Sequence, residues 1–120
     1  MAKFRFQDME IRQESIELAD ILLGIADDLE EMKMFRFTDQ LRGAAMSVSN
    51  NIAEGSGSFS KTEFKQFLNI ARRSAFENAN ILILLGRHNL LQEEQLNPLL
   101  DRLDILSRKI TSFRRSLDSR

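Results

Sequence analysis

Two polar groups interrupt the apolar pattern of this chain, and they are where chemistry would first be sought. The run Ser47-Val48-Ser49-Asn50-Asn51-Ile52-Ala53-Glu54-Gly55 brings hydroxyls, amides and a carboxylate close together. Ser and Asn are poor helix formers, and their ordinary use is to bond nearby backbone where a helix ends. The second group is Ser74, Glu77 and Asn78, set inside apolar stripes. A buried carboxylate needs a partner. If the flanking helices form a hairpin about residues 57–58, Glu77 lies level with the start of the preceding helix, and Arg42 is its expected partner. Arg42, Ser47, Asn51, Glu54, Ser74 and Glu77 are therefore expected to form a structural polar motif, with Arg42 and Glu77 as a largely buried ion pair.

No catalytic, cofactor-binding or metal-binding constellation assembles from the rest. A di-iron bundle needs Glu-x-x-His pairs on two helices. This chain has one His, and Leu85 stands three residues before it. His88 suits a helix C-terminus, where a cation meets the dipole. No Gly-x-Ser-x-Gly elbow is present, and Gly55-Ser56-Gly57-Ser58 lacks the Gly-Lys-Ser/Thr ending of a phosphate loop. That loop reads as a tight, flexible interhelical turn. Asp27-Asp28 and Glu30-Glu31 read as a solvated helix end. Without Cys, thiolate metal sites, disulfides and Cys nucleophiles are excluded. The expectation is a protein that is not an enzyme and needs no cofactor.

The basic residues offer a different chemistry. Lys61, Lys65 and Arg72, joined by Asn69, make one stripe, and Arg108, Lys109, Arg114 and Arg115 cluster later. These seven cations are the candidates for binding nucleic-acid phosphates, an interaction that weakens steeply with salt. Residues 1–60 hold six basic and eleven acidic residues, a balance of −5; residues 61–120 hold eleven and seven, a balance of +4. Two readings follow. One is an accessory protein that binds RNA or another nucleic acid. The other is a homo-oligomeric scaffold for protein partners, whose acidic and basic helices simply pair with each other. A pI near 5.9 favours the scaffold, since dedicated nucleic-acid domains are usually more basic. No aromatic is interleaved with the basic residues, so base stacking has little support.

The elements that must carry these groups are helical. The chain has 120 residues, 42% apolar and 29% charged, with one Pro and five Gly. That is one domain's worth, with too few turn formers for an all-β fold. No apolar run is long enough to span a membrane, and the charged start lacks an apolar signal segment, so a cytoplasmic location is expected. Four stripes repeat every 3.5 residues: Ile11 to Met32, Leu41 to Ile52, Phe64 to Leu85 and Leu96 to Leu117. They predict helices over about 8–32, 38–54, 60–88 and 93–117 in a single domain, residues 1–120. Thr38 is the expected cap of the second helix. Ser60 and Glu63 form a capping box before the third, with Phe59 and Phe64 placed for a hydrophobic staple. Asn97-Pro98 either starts the fourth helix or kinks its first turns. Short connections make sequential helices antiparallel, so the fold class is all-α, an antiparallel up-down-up-down four-helix bundle.

The third helix carries more apolar surface than a bundle core covers. Phe67, Ile70, Ser74, Glu77, Ile81 and Leu84 form a second stripe, and Ile81 to Leu85 are five consecutive apolar positions. At 100° per residue, at least one of these must point away from the core, and Ile83 is the expected one. Self-association would cover such surface.

Gln40 to Gly55, with its Asn51-Ile52-Ala53-Glu54-Gly55 ending, resembles the hallmark of one bacterial family. Ser60, Glu63, Phe64, Phe67, Leu68, Ile70, Ala71, Ser74 and Glu77 match the second half of its pattern. These are the four-helix-bundle proteins first noticed as open reading frames within intervening sequences of 23S ribosomal RNA genes. The chain departs from the pattern in having Ser49 for Pro and Arg73 for Gly, and in lacking an early Trp. The resemblance implies a ring-like homopentamer and no known reaction. Gene location suggests an association with ribosomal RNA, although many members are encoded elsewhere. A related accessory protein of diversity-generating retroelements has a similar bundle and pentamer, and works with reverse transcriptase and nucleic acid.

Overall fold

The four apolar stripes become four helices. The computed structural model describes residues 1–119: α1 is Glu10–Glu31, α2 Phe35–Ser56, α3 Lys61–Arg87 and α4 Glu93–Ser116. Short 3-10 turns at Arg5–Asp8 and Leu117–Ser119 flank them. Leu22, Leu29, Leu41, Ile52, Leu68, Leu82, Leu85, Leu106 and Ile110 are the largest apolar side chains with almost no exposure, and every helix contributes to this core. Met32 is the exception to the first stripe; it caps α1 and stays half exposed.

Cross-helix contacts fix the antiparallel order. Ser47 meets Ser74 and Ala44 meets Asn78 between α2 and α3. Arg102 reaches Glu17, and Lys109 reaches Glu10 and Glu14, between α4 and α1. In each set one residue number falls as the other rises. The architecture is the up-down-up-down four-helix bundle that the stripes require, 47 × 30 × 21 Å in extent. Its acidic α1 lies against α4, whose later turns are basic, so part of the charge asymmetry is spent inside the fold.

The connections are tighter than the sequence suggests. Only Met32–Met34 separates α1 from α2. Met34 N–H donates to Leu29 O at 2.9 Å and Lys33 N–H to Glu30 O at 2.9 Å, with Lys33 left-handed at φ 63°. This double-bonded ending satisfies two orphan carbonyls and lets α2 start three residues before Thr38. Thr38 therefore does not cap α2. It lies buried inside the first turns, its hydroxyl donating to Met34 O at 3.0 Å. Asn89, at φ 59°, ends α3 in the same way.

The α2–α3 joint also departs from expectation. Gly55 is helical and buried rather than part of a flexible loop. A Cβ there would lie 2.7 Å from Phe67 Cβ and 2.9 Å from the Phe64 ring, so a close helix crossing demands glycine. Ser60 does cap α3, its Oγ accepting from Glu63 N–H at 3.1 Å. The staple does not form: Phe59 is fully exposed, while Phe64 packs edge-on against Phe113 and under the Arg5 guanidinium. Pro98 is exposed inside the second turn of α4, which starts at Glu93.

Candidate nucleic-acid interface

The polar motif is partly assembled, and not as an ion pair. Ser47 and Ser74 hydroxyls meet at 2.7 Å across the α2–α3 joint. Asn51 Nδ2 donates to Ser47 O at 2.8 Å and to Ser47 Oγ at 3.0 Å, closing a small network. One turn further along, buried Asn78 donates to Ala44 O at 3.0 Å, and its Oδ1 has no partner among the described residues. Glu54 and Glu77 are exposed and outside this network.

The expected Arg42–Glu77 pair does not exist. Arg42 turns to α1, where its guanidinium donates to Asp27 at 2.8 Å and Glu30 at 2.5 Å. Its hydrogen bond to Glu30, and then that to Asp27, raises its pKa further. Two carboxylates on the solvent side outcompete one that faces away from the α2–α3 seam. Arg73 also points to solvent, so its bulk beside Ser74 is accommodated.

The seven cations divide among three places. Lys109 lies on the α1 side of α4, bound to Glu10 at 2.8 Å and Glu14 at 2.5 Å. Those hydrogen bonds push its pKa up to about 12 and draw that of Glu10 down. Lys61, Lys65 and Arg114 gather where α3 begins and α4 ends. Lys65 pairs with Asp118, which lowers the carboxyl pKa, and Arg114 Nε–H donates to Lys65 O at 3.3 Å.

Arg72, Arg108 and Arg115 are different. They line one open hollow of about 360 Å³ between α3 and α4, together with Ser107, Thr111 and Ser112. Residues 72, 108 and 115 reach it because Arg72 projects from the α4 side of α3, while Arg108 and Arg115 are two turns apart on α4. Arg108 Nε lies 3.2 Å from Asp104, an exposed i,i+4 pair that holds the guanidinium beside the hollow. Planar guanidinium groups have the chemistry to bind phosphate oxygens in pairs.

The residue that sequence reasoning overlooked is Phe76. The Arg72 guanidinium lies 4.7 Å from its ring centroid, and the ring is 56% exposed beside the basic hollow. The Arg72–Phe76 spacing of one helical turn was the available signal. An aromatic is therefore interleaved with the arginines, contrary to expectation. Among the described residues, no three His, Asp or Glu side chains are grouped to hold a metal ion, and no helix is long and apolar enough to cross a membrane.

The model of the 23S rRNA-intervening sequence protein family matches residues 7–112. The chain belongs to that family. A crystal structure from Bacteroides thetaiotaomicron, of a protein of unknown function from the S23 ribosomal protein family, superposes with a TM-score of 0.82. It is 26% identical, and the match covers 87% of this chain and 97% of that one. No curated protein matches the chain. Arg72, Phe76, Arg108 and the Ser47–Ser74 joint lie within the family match, whereas Arg114, Arg115 and Asp118 lie beyond it.

Proposed function

We propose that this protein is a non-enzymatic, self-assembling accessory protein that binds RNA or another nucleic acid by its phosphate backbone. The observation that carries this reading is the gathering of Arg72, Arg108 and Arg115 around one open α3–α4 hollow. Three arginines bind a backbone weakly; repetition around an assembly multiplies the effect. The family resemblance supplies the proposed assembly, a ring-like homopentamer, and ribosomal RNA as the first nucleic acid to test.

The surface of α3 supports self-association. Ile70 and Leu84 form one exposed apolar strip, and Phe76 and Ile83 form another. Exposed Asn69, Arg73, Asn80 and Arg87 run between them. At 100° per residue, the strips lie about 110° apart, so an interface on the first leaves the arginine hollow open.

A second reading, a protein scaffold without nucleic acid, draws on Lys65 and Lys109, whose charges are already engaged by Asp118, Glu10 and Glu14. Mild purification from the host, with identification of everything bound, separates the two. RNA or DNA recovered with the native chain and absent from an Arg72→Ala/Arg108→Ala/Arg115→Ala variant supports nucleic-acid binding. Protein partners recovered without nucleic acid favour the scaffold.

A further inference from the structure

The arginine hollow continues into a second, apolar one. This second hollow, of about 420 Å³, is walled by Ala79, Ile83, Leu100 and Leu103, with Asn80 at its edge. Phe76, Asp104 and Ser107 line both. We propose that this continuous α3–α4 groove seats one unpaired nucleotide of a single strand, its base in the apolar half and its flanking phosphates on Arg72, Arg108 and Arg115. The proposal rests on the phosphate-binding reading and adds what the strand must present.

Four observations point to this occupant. The apolar half has the size and character of a small-ligand site, mostly apolar with a few polar groups. A base offers a flat face to Phe76 and hydrogen-bonding edges to Asn80, Ser107 and Asp104. Phe76 and Ile83 are 56% and 43% exposed, so their apolar surface is uncovered and available to a stacked base. The charges set the direction. Three guanidinium groups line one half, and the Asp104 carboxylate stands where the halves meet, 3.2 Å from Arg108 Nε. Asp104 repels phosphate from the apolar half and accepts from base N–H donors, so the base and its phosphates cannot exchange places. A paired base cannot enter, because its edges are used and its faces are stacked.

The test uses the full chain and three fluorescently labelled probes in 50 mM salt: a 12-nucleotide mixed-sequence RNA, its duplex, and an abasic strand of the same length. The single strand is expected to bind about tenfold more tightly than either other probe. Phe76→Ala should remove that difference and leave equal, weaker binding to all three. Ile83→Asp, which leaves the Arg72–Phe76 contact in place, should do the same. Circular dichroism confirms that each variant is folded. Equal binding of the three probes by the native chain overturns the nucleotide seat and leaves the phosphate-binding reading intact. No binding to any probe overturns both. If Phe76→Ala and Ile83→Asp instead turn an oligomer into a monomer, a second copy covers the groove and the proposal fails.

Discussion

Gly55 and Glu77 show how far a residue's neighbours govern its worth. A methyl group at position 55 would overlap Phe67 Cβ, part of the backbone-proximal side chain of α3, which cannot swing aside. Gly55→Ala is expected to cost about 1–3 kcal/mol, read as a lower denaturant midpoint at unchanged slope. Glu77, a family-pattern residue expected to lie buried against Arg42, is exposed and has no ion-pair partner among the described residues. Glu77→Ala should therefore change stability by less than about 0.5 kcal/mol in the same denaturant titration. A loss of several kcal/mol there would restore the buried Arg42–Glu77 pair and contradict the exposed position of Glu77. Composition could not settle either case. Both depend on how closely α2 and α3 approach and which side each residue faces.

The helices themselves were legible because apolar spacing is a property of one segment at a time. Leu41, Ala45, Val48 and Ile52 needed no knowledge of α3 to declare a buried face. Ends were less legible. Thr38 looks like a cap until the Lys33 turn brings α2 forward, and Phe59 looks like a staple until Phe113 takes its place against Phe64. The groove was half legible: Arg72, Arg108 and Arg115 were among the seven cations, but Phe76 gains meaning only when α4 lies beside it. Lys109 belongs to this scale too, since it ties α4 to α1. Glu10 has a lowered pKa, so its stabilising contribution is present above its ordinary value of 4.5 and fades as pH falls through its folded value. Lys109, raised from 10.5 to about 12, contributes fully below 10.5 and loses its contribution as pH rises through 12. Lys109→Met should therefore flatten the loss of thermal stability between pH 5 and pH 3. Melting curves across that range check this, and an acid limb as steep as the native one would contradict it.

For the whole molecule, charge and apolar surface have to be placed together. The acidic half neutralises part of the basic half through Lys109 and Arg102, which leaves the arginines of the α3–α4 groove and the Lys61, Lys65 and Arg114 group as the concentrations of positive charge. The exposed Ile70–Leu84 strip is the surface proposed for contact between copies. Sedimentation equilibrium at micromolar protein should give a mass well above 13.9 kDa, and Ile70→Glu/Leu84→Glu should move it towards one chain. A native monomer would remove the assembly; a stable dimer or tetramer would remove only the fivefold ring. The central claim, that the groove holds backbone phosphates, is tested most directly by the salt dependence of RNA affinity. With single-stranded RNA, three phosphate contacts per site predict that log affinity falls with log salt at a slope of about −2. Summed over an assembly the slope should be steeper. Arg72→Ala/Arg108→Ala/Arg115→Ala should abolish both the binding and its slope. Native affinity that is flat with salt, or unchanged in that variant, would contradict the account.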